Sequence, residues 1–164
     1  MRAILRMTIT ATILVLIQAV AFAQSPSDKK AWGYVFGGVG GNSGGGSTAS
    51  FQVGAGGEGL VYKGLGVGAE VGYIAPFRST GDGFGILSPD VSYHFKSSHS
   101  KLVPFVTGGY SLAFRGGGTS SGGNFGGGVQ YWMKDHLGLR FEFRDHVFSS
   151  DSPHFYQFRV GLSF

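Results

Sequence analysis

Phe155-Tyr156-Gln157-Phe158-Arg159-Val160-Gly161-Leu162-Ser163-Phe164 closes the sequence, and its period is two. Tyr156, Phe158, Val160, Leu162 and Phe164 fall on one parity; Gln157, Arg159, Gly161 and Ser163 fall on the other, with Phe155. Successive side chains of a strand point to opposite faces. An extended chain here therefore has one continuously apolar face and one face of charge, amide and glycine. The segment before it repeats the pattern: Leu137, Leu139, Phe141 and Phe143 alternate with Gly138, Arg140, Glu142 and Arg144.

The same alternation, followed back through the chain, marks eight segments: 31–40, 50–61, 65–75, 83–95, 102–114, 124–133, 137–148 and 155–164. No apolar stripe of helical period competes with it. The 31 glycines in 164 residues interrupt nearly every window, and each disfavours helix by about 1 kcal/mol. The segments run to about 10–13 residues, where soluble strands cluster near 5–6. A tilted strand that crosses a bilayer takes ~9–11. The predicted fold is all-β: an eight-stranded antiparallel up-and-down transmembrane β-barrel.

The connections alternate as well. Those at 62–64, 96–101 and 134–136 are short or basic, whereas 41–49, 76–82, 115–123 and 149–154 are rich in Gly, Ser, Thr, Asn and Asp. Transmembrane barrels pair short periplasmic turns with longer external loops, and an even strand count returns the chain to its starting side. Directly paired residues of a hairpin must share a face. Around the turn at Lys134-Asp135, Tyr131 falls opposite Leu139 and Val129 opposite Phe141. Around 62–64, Glu58 falls opposite Gly68 and Glu70 opposite Gly56, so both glutamates land on the polar face.

That polar face is mostly glycine with a few charges, Glu58, Glu70, Asp90, His94, Arg140, Glu142, Arg144 and Arg159. It is sparse for a solvated surface, while the other face is crowded with Phe, Tyr, Leu and Val. An inside-out barrel accounts for both, with the aromatics against hydrocarbon and at the interfaces. Trp32, Tyr34, Tyr62, Tyr93, Phe95, Tyr131 and Phe164 are expected to form the periplasmic belt, and Phe51, Phe114, Phe125 and Phe148 to lie nearer the outer rim. Closure follows, because an open edge in lipid strands backbone groups at several kcal/mol each. An interior ion-pair network is expected from Glu58, Glu70, Arg140, Glu142, Arg144 and Arg159, since an Arg facing lipid at the midplane costs ~2–4 kcal/mol.

Residues 1–23 read as a signal peptide: Arg2 and Arg6, an apolar run from about Ile9 to Phe22, then Ala21-Phe22-Ala23 before Gln24. Residues 24–30 are a short periplasmic lead, and 31–164 the barrel. The formal charge is +4, of which the two leader arginines supply two, too little to suggest nucleic acid. No cysteine is present, which excludes disulfide frameworks and cysteine-ligated zinc.

Together these features resemble the small outer-membrane β-barrel family of OmpA-like and Opa-like type. The resemblance covers about residues 31–164. It rests on the leader, on Val103-Pro104-Phe105-Val106-Thr107-Gly108-Gly109-Tyr110 and on the terminal segment 155–164. It implies location in the outer membrane. It also implies that the final aromatic and the alternate residues before it, here Phe164, Leu162, Val160 and Tyr156, form the signal read by the barrel-assembly machinery. The chain departs from full-length OmpA-like proteins in stopping at Phe164 without a peptidoglycan-binding domain, so no wall-anchoring role is expected.

Motifs for chemistry are weak. Gly54-Ala55-Gly56-Gly57-Glu58-Gly59 fits G-x-G-x-x-G, but a dinucleotide site needs a helix next, and Tyr62-Lys63-Gly64-Leu65-Gly66 turns into another strand. The histidines, at 94, 99, 136, 146 and 154, are scattered without metal-ligand spacing. Asp145-His146 with Ser149 and Glu142 are the nearest hydrolase candidates, yet Glu142, Arg144 and His146 share the inward parity, and a lipid hydrolase needs its groups outside. The expected function is a non-enzymatic envelope or surface-loop role; the alternatives are a narrow passive pore for small or apolar solutes and a lipid-modifying enzyme. No cofactor or metal is expected. The expected partners are outer-membrane lipid and, during biogenesis, the assembly machinery, with a monomeric barrel.

Overall fold

A computed structural model describes residues 31–43, 48–95, 100–149 and 154–164. The stretch read as a signal peptide and the expected lead at 24–30 lie outside the described residues, as do parts of three connections. Eight strands, β1 (Ala31–Ser43), β2 (Ala49–Tyr62), β3 (Leu65–Pro76), β4 (Phe84–His94), β5 (Leu102–Arg115), β6 (Gly118–Lys134), β7 (Leu137–Phe148) and β8 (His154–Ser163), follow one another in order, each antiparallel to the next. β8 pairs with β1 and closes the barrel. Glu58 pairs with Gly68, Gly56 with Glu70, Tyr131 with Leu139 and Val129 with Phe141, the register required by face parity.

Stepping perpendicular to the strands fixes the barrel's stagger. Trp32 leads to Glu58, Gly68, Asp90, Gly109, Asn124, His146 and Phe155, and the circuit returns to β1 at Asn42, ten residues beyond its start. With ~3.3 Å per residue and ~4.8 Å between strands, a shear of ten over eight strands tilts them by about 40°. Ten residues then cover roughly 25 Å of bilayer.

The two faces divide as lipid demands. Phe141 (49% exposed), Phe158 (63%), Val160 and Leu162 look outward, whereas Arg140 and Glu142 are buried in the lumen. Tyr62, Tyr93, Phe95, Tyr131 and Phe164 are exposed at the periplasmic end, and Phe114 and Phe125 are exposed toward the outer rim.

Three aromatics depart from expectation. Trp32 and Tyr34 point into the lumen rather than to the lipid belt, Tyr34 with only 1% of its surface accessible. Their cross-strand partners are Glu58 and Gly56, so they share the inward parity of the glutamate. Gly56 leaves the space for the Tyr34 ring: a Cβ there would lie 2.6 Å from the ring and its hydroxyl. Phe148 also turns inward, on the parity of Arg140, Glu142, Arg144 and His146.

The expected loop at 115–123 is another correction. β5 and β6 continue as a ladder to Arg115 opposite Gly118. Only Gly116 and Gly117 turn, with φ of 52° and 93°, the left-handed pair that a tight two-residue hairpin needs. Thr119, Ser120 and Ser121 read as loop by composition, yet their backbones pair with Phe114, Ala113 and Leu112.

Candidate functional site

The lumen is filled in tiers. At the periplasmic strand ends Trp32, Tyr34 and Phe36 cluster with Leu60 and Trp132. At the outer ends Ile74, Ile86, Ala113 and Phe148 cluster with Phe84 and Phe155. Between them lies charge.

Glu142 on β7 is the hub of the middle tier. Arg140 Nε reaches its Oε2 at 2.8 Å, and Arg144 Nη2 and Arg159 Nη2 reach its Oε1 at 2.6 and 2.8 Å. Arg140 and Arg144 flank it on the same strand face because strand side chains repeat every second residue. Arg159 also grips Glu70 with both terminal nitrogens, at 2.7 and 3.0 Å. Arg144 Nη1 donates to Asp90 Oδ2 at 3.0 Å and to Asn124 Oδ1 at 2.8 Å. Arg140 Nη1 reaches Glu58 Oε2 at 3.2 Å; the other oxygen of Glu58 meets His94 Nε2 at 2.6 Å and the Ser92 hydroxyl. All six sequence-predicted network residues thus meet in one cluster.

Alternation alone had also flagged Asp90 and His94 on this face but not as members of the cluster. Other partners were missed. The Tyr34 hydroxyl donates to Glu70 Oε2 at 3.3 Å. Guanidinium groups stack on rings, Arg140 4.0 Å from the Phe105 centroid and Arg159 4.2 Å from that of Phe36. Above the charges, Ser88, Ser111, His146 and Asn124 form a hydrogen-bonded chain: Ser111 Oγ lies 3.0 Å from Ser88 Oγ and 2.8 Å from His146 Nδ1, and accepts from Asn124 Nδ2 at 3.0 Å. Parity could have found Ser88, Ser111, Asn124 and His146, which lie on the inward, polar face of their strands; it could not have found Tyr34 and Phe36, because both faces of β1 are apolar.

The hydrolase candidates do not converge. His146 is inside with Ser111, Ser149 donates to the Ser121 carbonyl, and Asp145 turns outward to His154, whose Nδ1 lies 2.7 Å from Asp145 Oδ2. Among the described residues no group of three His, Asp or Glu side chains is arranged to hold a metal ion. The 54–59 glycine motif lies wholly within β2, so no helix N-terminus is there to receive a phosphate.

At the outer mouth, Arg115 Nη2 donates to Asp82 Oδ1 at 2.6 Å. The Ser79 hydroxyl donates to the other oxygen, and Ser79 and Arg115 hold this carboxyl below its ordinary range.

Comparison with curated proteins finds no match. Among solved structures the fold resembles Neisserial surface protein A, with a TM-score of 0.67, 17% identity, and coverage of 82% of this chain and 96% of that one. It also resembles the N-terminal barrel of Pseudomonas aeruginosa OprF, at TM-score 0.60, 13% identity and coverage of 82% and 98%. Ail, the attachment invasion locus protein of Yersinia pestis, gives 0.53, 10% identity and coverage of 82% and 97%. Those identities speak for the fold alone. Residues 9–164, nearly the whole sequence, match the family described as outer membrane protein beta-barrel domain, and the chain belongs to that family of outer-membrane barrels.

Proposed function

We propose that this barrel is a non-enzymatic, non-conducting wall in the outer membrane, whose specific action is carried by its external connections. The observation that supports this is the packing of the lumen. The Arg144 side chain is wholly inaccessible in the middle of the barrel, locked to carboxylates on β3, β4 and β7. Apolar clusters close both ends. A rigid scaffold that presents loops is the usual division of labour in such folds. The leader at 1–23 delivers the chain for export, and Tyr156, Val160, Leu162 and Phe164 serve as the C-terminal assembly signal. The barrel works as a monomer surrounded by lipid.

Single-channel recording in planar bilayers tests the reading. No steady conductance is expected; a steady ohmic step would favour the narrow passive pore. Mass spectrometry of lipid A from cells with and without the protein is expected to show identical species.

A further inference from the structure

Charge is distributed unequally between the two ends of the wall. Lys63 sits in the turn between β2 and β3, Lys101 immediately before β5, and Lys134 at the end of β6, and all three are exposed. They stand on alternate hairpins around the periplasmic rim. None forms an ion pair among the described residues, and Asp135 is the one acid in these described turns. The connections at the outer end contain no lysine. Of their cations, Arg115 is bound to Asp82 and His154, where β8 begins, to Asp145; Arg78 alone is exposed without an ion pair among the described residues, against three such lysines at the other end.

The lysines also sit at a definite depth. Each adjoins the last apolar or aromatic residues of the lipid-facing wall: Tyr62 beside Lys63, Leu102 beside Lys101, and Tyr131, the cross-strand partner of Leu102, three residues before Lys134. Lys63 Nζ lies 5.2 Å from the centre of the Tyr62 ring. Lysine stems lie along apolar surface and carry the ammonium to the interface. Interfacial tyrosines mark the headgroup level, where the nearest anions are lipid phosphates.

We propose that this rim is a binding surface for anionic phospholipid headgroups of the inner leaflet, with Lys63, Lys101 and Lys134 as separate phosphate contacts. The barrel thereby selects anionic lipids for its annulus on one side only.

The test is lipid selectivity. The barrel is reconstituted in phosphatidylcholine vesicles with traces of spin-labelled phosphatidylglycerol or phosphatidylcholine, and the motionally restricted fraction of each is read by electron spin resonance. Phosphatidylglycerol should be preferred by up to about fivefold, the equivalent of ~1 kcal/mol per lysine contact. The preference should approach one in K63Q/K101Q/K134Q and persist in R78Q/R115Q. Folding of each variant is checked by heat-modifiable migration. The unaltered barrel provides a reading that needs no variant: its preference should collapse between 0.1 M and 1 M salt, as the Debye length falls from ~10 to ~3 Å. Equal restriction of both lipids, a preference indifferent to salt, or one that survives in a folded triple variant overturns the proposal. So does co-sedimentation with purified peptidoglycan in the absence of lipid selectivity, which would assign the lysines to the wall's carboxylates.

Discussion

Arg159 on β8 and Glu70 on β3 meet as a two-pronged ion pair, at 2.7 and 3.0 Å, although 89 residues and two intervening strands separate them. Both are almost wholly buried. Glu70 also accepts from Tyr34 and lies 3.6 Å from Arg144 Nη2. Removing one partner of a buried ion pair costs about 3–5 kcal/mol, and the loss here falls at the lower end of that range because Arg159 keeps Glu142 at 2.8 Å. Glu70→Gln is therefore expected to lower the barrel's unfolding free energy by roughly that much, read from urea unfolding in phospholipid. Glu70→Leu combined with Arg159→Met should recover most of the loss. Equal losses in the single and double variants would refute the pairing.

Two glycines of opposite parity should respond oppositely to alanine. Gly128 faces the lumen, and a Cβ there would collide with the Phe141 carbonyl oxygen and lie 2.8 Å from the Glu142 Cα. Only a backbone shift between β6 and β7 relieves this, so Gly128→Ala should cost ~1–3 kcal/mol. Gly37 faces lipid, and the nearest atom to its Cβ would be the Gln52 carbonyl oxygen at 4.0 Å. Gly37→Ala should be neutral or stabilising by about 0.5–1 kcal/mol, because it restricts the unfolded chain. Thermal shifts of the two variants should differ in sign or clearly in size.

The fold was legible where the two faces of a strand differ in chemistry. On β7 and β8 the lipid side is Phe, Leu and Val and the lumen side is Arg, Glu and Gln, so period two is plain. On β1 it fails: Trp32, Tyr34 and Phe36 are apolar and inward, Val35 and Val39 are apolar and outward, and hydropathy carries no parity. The cross-strand register to Glu58 settles it, and that register is a long-range fact. The membership of the ion cluster was legible for the same reason as the strands, since a charge in this wall has only the lumen to occupy. Which arginine meets which carboxylate depends on the shear of ten, set when β8 closes on β1, and no local pattern states it. The hairpin at Gly116-Gly117 was obscured because Thr, Ser and Gly resemble loop by composition, although the ladder is made by backbone.

Asp145 is the carboxylate that breaks the lumen rule. It faces outward beside its cross-strand partners Phe125 and Tyr156 and is held by His154 at 2.7 Å. Its Oδ1 is buried without a hydrogen-bond partner among the described residues. His154→Phe should destabilise the barrel by ~1–3 kcal/mol, the cost of a carboxylate left unpaired away from water. Asp145→Leu with His154→Phe should be near neutral, since the Asp145 side chain is largely buried although that of His154 is nearly half exposed, and replacing a desolvated carboxylate and its partner by apolar side chains of similar volume often costs little. A double variant worse than His154→Phe alone would show that the pair contributes net stability.

The Asp82–Arg115 contact at the outer mouth should hold through mildly acidic conditions. Ser79 and Arg115 lower the Asp82 pKa in the folded barrel, so the folded state binds the Asp82 proton less tightly than the unfolded chain does. The contribution to loop order is then complete above the ordinary carboxylate range and disappears as pH falls through the lowered value; raising pH from 5 to 8 should not change it. Carbon-detected NMR of the Asp82 carboxyl in micelles should give a midpoint below ~3.9, the unperturbed value. Arg115→Gln should move that midpoint upward, and the Ser79 amide should report the same transition. Because both side chains are more than half exposed, raising salt should shift the midpoint in the same direction. An Asp82 that titrates at the unperturbed value in the unaltered barrel would show that Arg115 does not hold it in solution, and the mouth would then lack the clamp between β5 and the turn at residues 80–82.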